Sequence, residues 1–133
     1  IRDRNRDEVR CTWELRCEAA EPVTFLFGSE WNLGLLRDQT NLVPETGVAS
    51  PCRPEPLSPR ERLVLEVPVF GARLAWQFDQ PCGVWIHEVA TVSQSETGFE
   101  LNYQGHLVLP FWEVFLQPGE EAHLGLVFSL ARR

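Results

Sequence analysis

The sequence contains no lysine and no methionine, and every one of its twelve basic residues is arginine. No apolar run approaches the roughly 20 residues that a membrane-spanning helix needs. The opening octet, Ile1 to Glu8, is polar and lacks the apolar centre of a secretion signal. The four cysteines, Cys11, Cys17, Cys52 and Cys82, include no Cys-x-x-Cys pair, which argues against a zinc ribbon and a thioredoxin-like motif. There is also no Asn-x-Ser/Thr acceptor. Cys11 and Cys17 fall on one predicted strand, six residues or ~20 Å apart at ~3.3 Å per residue, too far to bridge each other. Buried, reduced thiols and a cytoplasmic setting are the expectation. Without an initiator methionine, the chain reads as a piece of a longer polypeptide.

The composition is that of an ordinary folded domain. Apolar residues make up 44% and charged residues 23% of 133 residues, enough for one domain. A net charge of −7 opposes phosphate backbones and anionic lipid, so neither nucleic acid nor membrane is an expected partner.

The dominant period is two. Val9, Cys11, Trp13, Leu15, Cys17 and Ala19 alternate with Arg10, Thr12, Glu14, Arg16 and Glu18, the pattern of a half-buried strand. Residues 23–36 are apolar and aromatic, with Gly28 and Gly34 marking a bulge or close packing. Residues 37–60 hold five of the ten prolines and predict a long irregular connection. Strand signals return over 63–69, 74–79, 84–92, 99–103, 107–116 and 122–130. Pro68 marks an edge or bulge, Pro81-Cys82-Gly83 a turn, and the run 107–116, apolar on both faces, a central strand. No stretch has helical period. The expected fold is all-β, an antiparallel β-sandwich of about eight strands, with residues 1–8 as a linker and 9–131 as the sandwich.

No motif for chemistry stands out. His87, His106 and His123 lie on different predicted strands and lack metal-ligand spacing, so no metal and no cofactor are expected. Ser93 and Ser95 are not in a nucleophile elbow. Glu96 and Glu100 lie close together in sequence, with Glu88 eight residues before Glu96, but nothing fixes a cleft between carboxylates. Five Trp, eight Phe and one Tyr are many for this length. Trp13, Trp76, Phe78, Phe99, Phe111 and Phe128 fall on predicted inward faces and read as core. Trp31, Trp85 and Trp112 remain as docking or sugar-facing candidates.

The run from His87 to Gly105 carries Val92-Ser93-Gln94-Ser95-Glu96, then Gly98-Phe99-Glu100, then Tyr103-Gln104-Gly105. Leu109-Pro110-Phe111-Trp112 follows, and Phe27-Gly28-Ser29-Glu30-Trp31-Asn32-Leu33 precedes it. Together these resemble the C-terminal domain of glycoside hydrolase family 57 enzymes, the α-amylase/4-α-glucanotransferase group, over residues 9–130. The resemblance implies a supersandwich of the mutarotase-like type, set behind a barrel that carries the catalytic carboxylates. It therefore implies that this chain is itself inactive, that its parent is a glycoside hydrolase or 4-α-glucanotransferase, and that its partner is the catalytic domain of the same polypeptide, with α-glucan as a candidate second contact. Carried over by position, Ser93, Gln94, Ser95, Glu96, Glu100, Tyr103 and Gln104 take a packing or interface role. The Pro-rich 44–59 loop and Trp31 depart from the family pattern. The alternative is a free-standing carbohydrate-binding or partner-docking sandwich. A mutarotase-like epimerase would need an acid and an imidazole among His87, His106, Glu88 and Glu100 to converge.

Overall fold

The computed structural model describes residues 6–35, 37–45 and 47–132. Nine strands are described: β1 (Arg6–Arg16), β2 (Val23–Gly28), β3 (Trp31–Leu33), β4 (Asn41–Leu42), β5 (Ser50–Pro51), β6 (Glu55–Val67), β7 (Ala72–Ser95), β8 (Gly98–Leu116) and β9 (Glu121–Arg132). All pairings are antiparallel. The described residues contain no α-helix, only two three-residue 3-10 turns, Arg37–Gln39 and Pro68–Phe70. The expected all-β class is therefore what is found.

All nine strands belong to one branched hydrogen-bonded sheet because β7 belongs to both layers. Its first part, Ala72 to Phe78, pairs with β9, and β9 pairs with β1. Its second part, Gly83 to Ser95, pairs with β8, which also pairs with β2 and β3. Strand β6 follows β7 around the same corner, with register shifts between Leu57 and Arg62. Such irregularities bend a strand and let it pass from one sheet to another.

The corner replaces the turn expected at Pro81-Cys82-Gly83. The indole N–H of Trp112 donates to the Gln80 carbonyl at 3.2 Å, satisfying a backbone acceptor where the ladder is interrupted. Strand β6 likewise begins inside the expected irregular connection. Its first half pairs only with β7, so Pro56 and Pro59 sit on an edge where a missing N–H costs no ladder bond. At the other end of the domain, Arg6, Asp7 and Glu8, expected in a linker, pair with Ala131, Leu130 and Ser129; residues 1–5 lie outside the described residues.

Aromatic rings join the layers. Trp13 of β1 meets Phe27 of β2 and Trp112 of β8 at 5.6 and 5.9 Å, and Phe78 of β7 meets Trp112 edge-on at 6.2 Å. Trp31 of β3 packs on Phe128 and Trp76 at 4.9 and 6.1 Å. Each such pair adds ~0.5–1.5 kcal/mol beyond the area it buries. Trp76, Leu65, Val67, Ile86 and Leu126 are fully buried around them. All four cysteines are free; Cys17, Cys52 and Cys82 are buried and Cys11 is half-buried. Burial pushes the Cys82 thiol up from 9.0 to about 12, against a backbone hydrogen bond at Phe111 and the charge of Arg60.

Candidate functional site

Beyond Val89, strands β7 and β8 leave the sandwich together as a two-stranded arm. Ala90 pairs with Tyr103, Val92 with Leu101, Gln94 with Phe99, and Ser95 with Gly98. Glu96 and Thr97 form the tip, and Gly98 adopts φ +130°, a conformation that glycine alone takes readily. The Ser95 hydroxyl donates to the Gly98 carbonyl at 3.1 Å and closes the turn.

Cross-strand partners share a face, so the arm has two unlike sides. One carries Thr91, Ser93, Glu100 and Asn102, of which Ser93 and Asn102 bond each other and Thr91 bonds Gln104 at the arm's root. The Asn102 amide donates to Ser93 Oγ at 2.7 Å, and the Gln104 amide donates to Thr91 Oγ1 at 3.2 Å. The other side carries Ala90, Val92, Gln94, Phe99 and Leu101. Val92, Phe99 and Leu101 are 63%, 79% and 77% exposed. This apolar side continues the even-numbered side of β7 that buries Trp76, Val84 and Ile86 within the sandwich. Phe99, expected in the core, is thus on a core-side face that none of the described strands covers.

The arm's root is fixed by a polar joint. The register shifts between Val89 and Ala90, a bulge that re-aims the two strands. Just past it, the Tyr103 hydroxyl bonds His106 Nδ1, and the two rings meet edge-on at 5.4 Å. His106 is fully buried, pairs in register with Leu33 of β3, and lies opposite Glu88 of β7. Gly105 is needed here because a Cβ would collide with the Leu33 carbonyl. A shallow pocket of 280 Å³ opens beside the joint, lined by Asn32, Leu33, Gly34, Val89, Gln104, Gly105 and His106.

The sequence-named residues separate into three groups. Ser93, Gln94, Ser95, Glu96, Glu100, Tyr103 and Gln104 share the arm and its root. Trp31 and Trp112 are in the packing between layers; Trp112 is 4% exposed and Trp31 is half-buried. Trp85 is on the outer face of the second layer, 39% exposed. Of the four acid and imidazole candidates, only Glu88 and His106 come opposite each other. His87 faces away from them on the other side of β7, and Glu100 is on the arm. Among the described residues no group of three or more His, Cys, Asp or Glu side chains could hold a metal ion, and no helix is long and apolar enough to cross a membrane. Sequence reasoning missed Val92, Phe99 and Leu101 as site residues. Their strict alternation with polar neighbours was visible, but it reads the same whether the apolar side is covered or bare.

Comparison with known proteins places this arrangement. None of the curated proteins matches the chain. Among solved structures, the crystal structure of 4-alpha-glucanotransferase from Thermococcus litoralis is similar at TM-score 0.57 and 21% identity, over 92% of this chain. The chain spans 16% of the length of that protein, so the likeness speaks to the sandwich fold alone. The family model described as "Alpha-amylase/4-alpha-glucanotransferase, C-terminal" matches residues 2–126. With nearly the whole chain matched, this protein belongs to the C-terminal domain family of the α-amylases and 4-α-glucanotransferases.

Proposed function

We propose that this domain runs no reaction of its own and serves an α-glucan-acting enzyme, gripping the catalytic part of the same polypeptide with the arm. The observation that carries this is the bare apolar face of Val92, Phe99 and Leu101, set on a hairpin whose other side bonds to itself. Leaving three large apolar side chains in water forfeits ~1.5–3 kcal/mol each relative to burying them. Contiguous bare patches of that kind mark interaction surfaces. The polar side supports the same reading: its hydroxyls and amides already bond one another, so it can lie against water while the apolar side is covered. The arm's charge bears on the partner's surface. Between Ala90 and Gln104 there are two carboxylates, Glu96 and Glu100, and no arginine, which fits an apolar seat rimmed by basic residues.

The test uses the catalytic part expressed separately from this chain. The two pieces are expected to co-elute on size exclusion, and Leu101→Glu, which places a charge in the seat, is expected to abolish co-elution without unfolding the domain. Hydrogen exchange in the intact polypeptide provides the second measurement. Amides of residues 90–103 should be protected there and fast in the isolated chain. Equal exchange in both would remove the docking role.

A further inference from the structure

A second uncovered feature lies away from the arm, on the outer face of the second layer. Phe111 of β8 stands in register between two glycines, Gly28 of β2 and Gly83 of β7. A Cβ added at Gly83 would run into Cζ, Cε1 and Cε2 of the Phe111 ring. The ring therefore lies over the Gly83 backbone, covering a glycine as aromatic side chains do across paired strands. One ring face rests on the peptide and the other is turned outward. Trp85, two residues along β7 on the same side, packs against it with centroids 4.9 Å apart and planes inclined by 50°. Phe115, 58% exposed, and the exposed Glu113 follow on the same side of β8. Together with Gln80 and Pro81, Phe111, Glu113 and Phe115 line a groove of 470 Å³.

We propose that this face is a stacking platform for an α-glucan chain, an inference that rests on the reading of a glucan-acting parent. The C–H faces of pyranose rings stack on aromatic faces, while the hydroxyls at their rims seek polar groups. Here the rings of Trp85, Phe111 and Phe115 supply the faces. The Glu113 carboxylate accepts from hydroxyls, and the Gln80 amide, held by its bond to the His123 carbonyl at 3.2 Å, flanks the groove. The 50° inclination carries the choice of polymer. A flat β-linked ribbon needs coplanar rings, whereas a chain that curves from one sugar to the next meets rings inclined to each other. None of the three is among the described residues that form the buried core or pack against it, so the core does not require them there.

Titration of the isotope-labelled 133-residue chain with maltoheptaose, followed by amide and indole resonances, tests this. The Trp85 indole and the amides of residues 111–115 are expected to shift with half-saturation at about 1 mM, a scale at which few contacts suffice. Trp85→Ala, an outward substitution that leaves the core intact, should weaken binding about tenfold, and Glu113→Gln should weaken it less. Cellohexaose should leave these resonances unmoved. Unmoved resonances with maltoheptaose, an equal response to cellohexaose, or shifts confined to the arm would each overturn the platform. Those outcomes leave docking untouched, because docking is read from co-elution with the catalytic part. Loss of co-elution together with a positive titration would remove the arm's role and leave the platform standing.

Discussion

Strand β7 is one alternating sequence with two fates. Near its start, Trp76 and then Val84 and Ile86 point to the even-numbered side and are fully buried; near its end, Val92 points to the same side and is 63% exposed. Neither the period nor the residue types change between the two ends. What changes is the opposing layer. Trp76, in the layer of β9 and β1, is covered from across the sandwich by Trp31 of β3, and none of the described strands covers the arm. Alternation in a strand therefore encodes which side is to be dry, and leaves unspecified which chain supplies the cover.

The comparison breaks most easily at the buried end. Trp76→Ala removes a fully buried indole that contacts both Trp31 and Phe128. The expected loss is ~3–5 kcal/mol of unfolding free energy, measured by urea denaturation. A loss under ~1 kcal/mol would mean that the layers are not held at this point.

Gly83→Ala gives the next largest effect. The new methyl must displace the Phe111 ring from the β7 backbone, and overpacking of that kind costs ~1–3 kcal/mol. The same substitution should shift the Trp85 indole resonance even without ligand, because its ring neighbour moves. Stability and resonance unchanged together would show that the ring does not lie over Gly83.

These two positions also show how far the sequence could be read. Period-two alternation placed Trp76 and Phe78 in the core, and placed the run 107–116 in a strand flanked on both sides; all are so. The sequence resemblance brought seven arm and root residues together as one segment. The corner of β7 was not legible, since Pro81 and Gly83 signal a turn locally while the Trp112 indole, thirty-two residues away, satisfies the Gln80 carbonyl instead. Trp31 and Trp112 looked unplaced for a related reason: their partners are on the other layer. Gly28 and Gly83 carried no visible link to Phe111, because register across three strands is a tertiary fact. Phe99 was assigned to the core because alternation alone cannot report a missing layer.

Cys82 adds a pH dependence at the corner itself. The folded chain keeps the thiol proton up to about 12, whereas an exposed thiol releases it near 9.0. The stability tied to burying the neutral thiol is complete below pH 9.0 and is lost progressively as pH rises toward 12. Urea midpoints across that range should fall more steeply for the native chain than for Cys82→Val. Below pH 9.0, iodoacetamide should leave Cys82 unmodified until the chain unfolds. Rapid modification of the folded chain would place the thiol at the surface of the corner.

The smallest expected effect is the one that bears most on the comparison. Leu101→Ser and Phe99→Ser each remove a large apolar group from a strand, a change that at the buried end would cost several kcal/mol. On the arm, water already surrounds these groups, so the isolated chain should lose no more than ~0.5 kcal/mol from either. Thermal unfolding should show both variants within about 2 °C of the native chain, on the usual relation of stability to midpoint. The same substitutions measured in the intact polypeptide should be destabilising by ~1.5–3 kcal/mol, since there the side chains leave a covered seat. The quantity of interest is the difference between the two settings. A large cost in the isolated chain would mean that the arm folds back on its own sandwich. A cost near zero in both would mean that the dry face is never covered, and the symmetry between the two ends of β7 would be a matter of pattern without consequence.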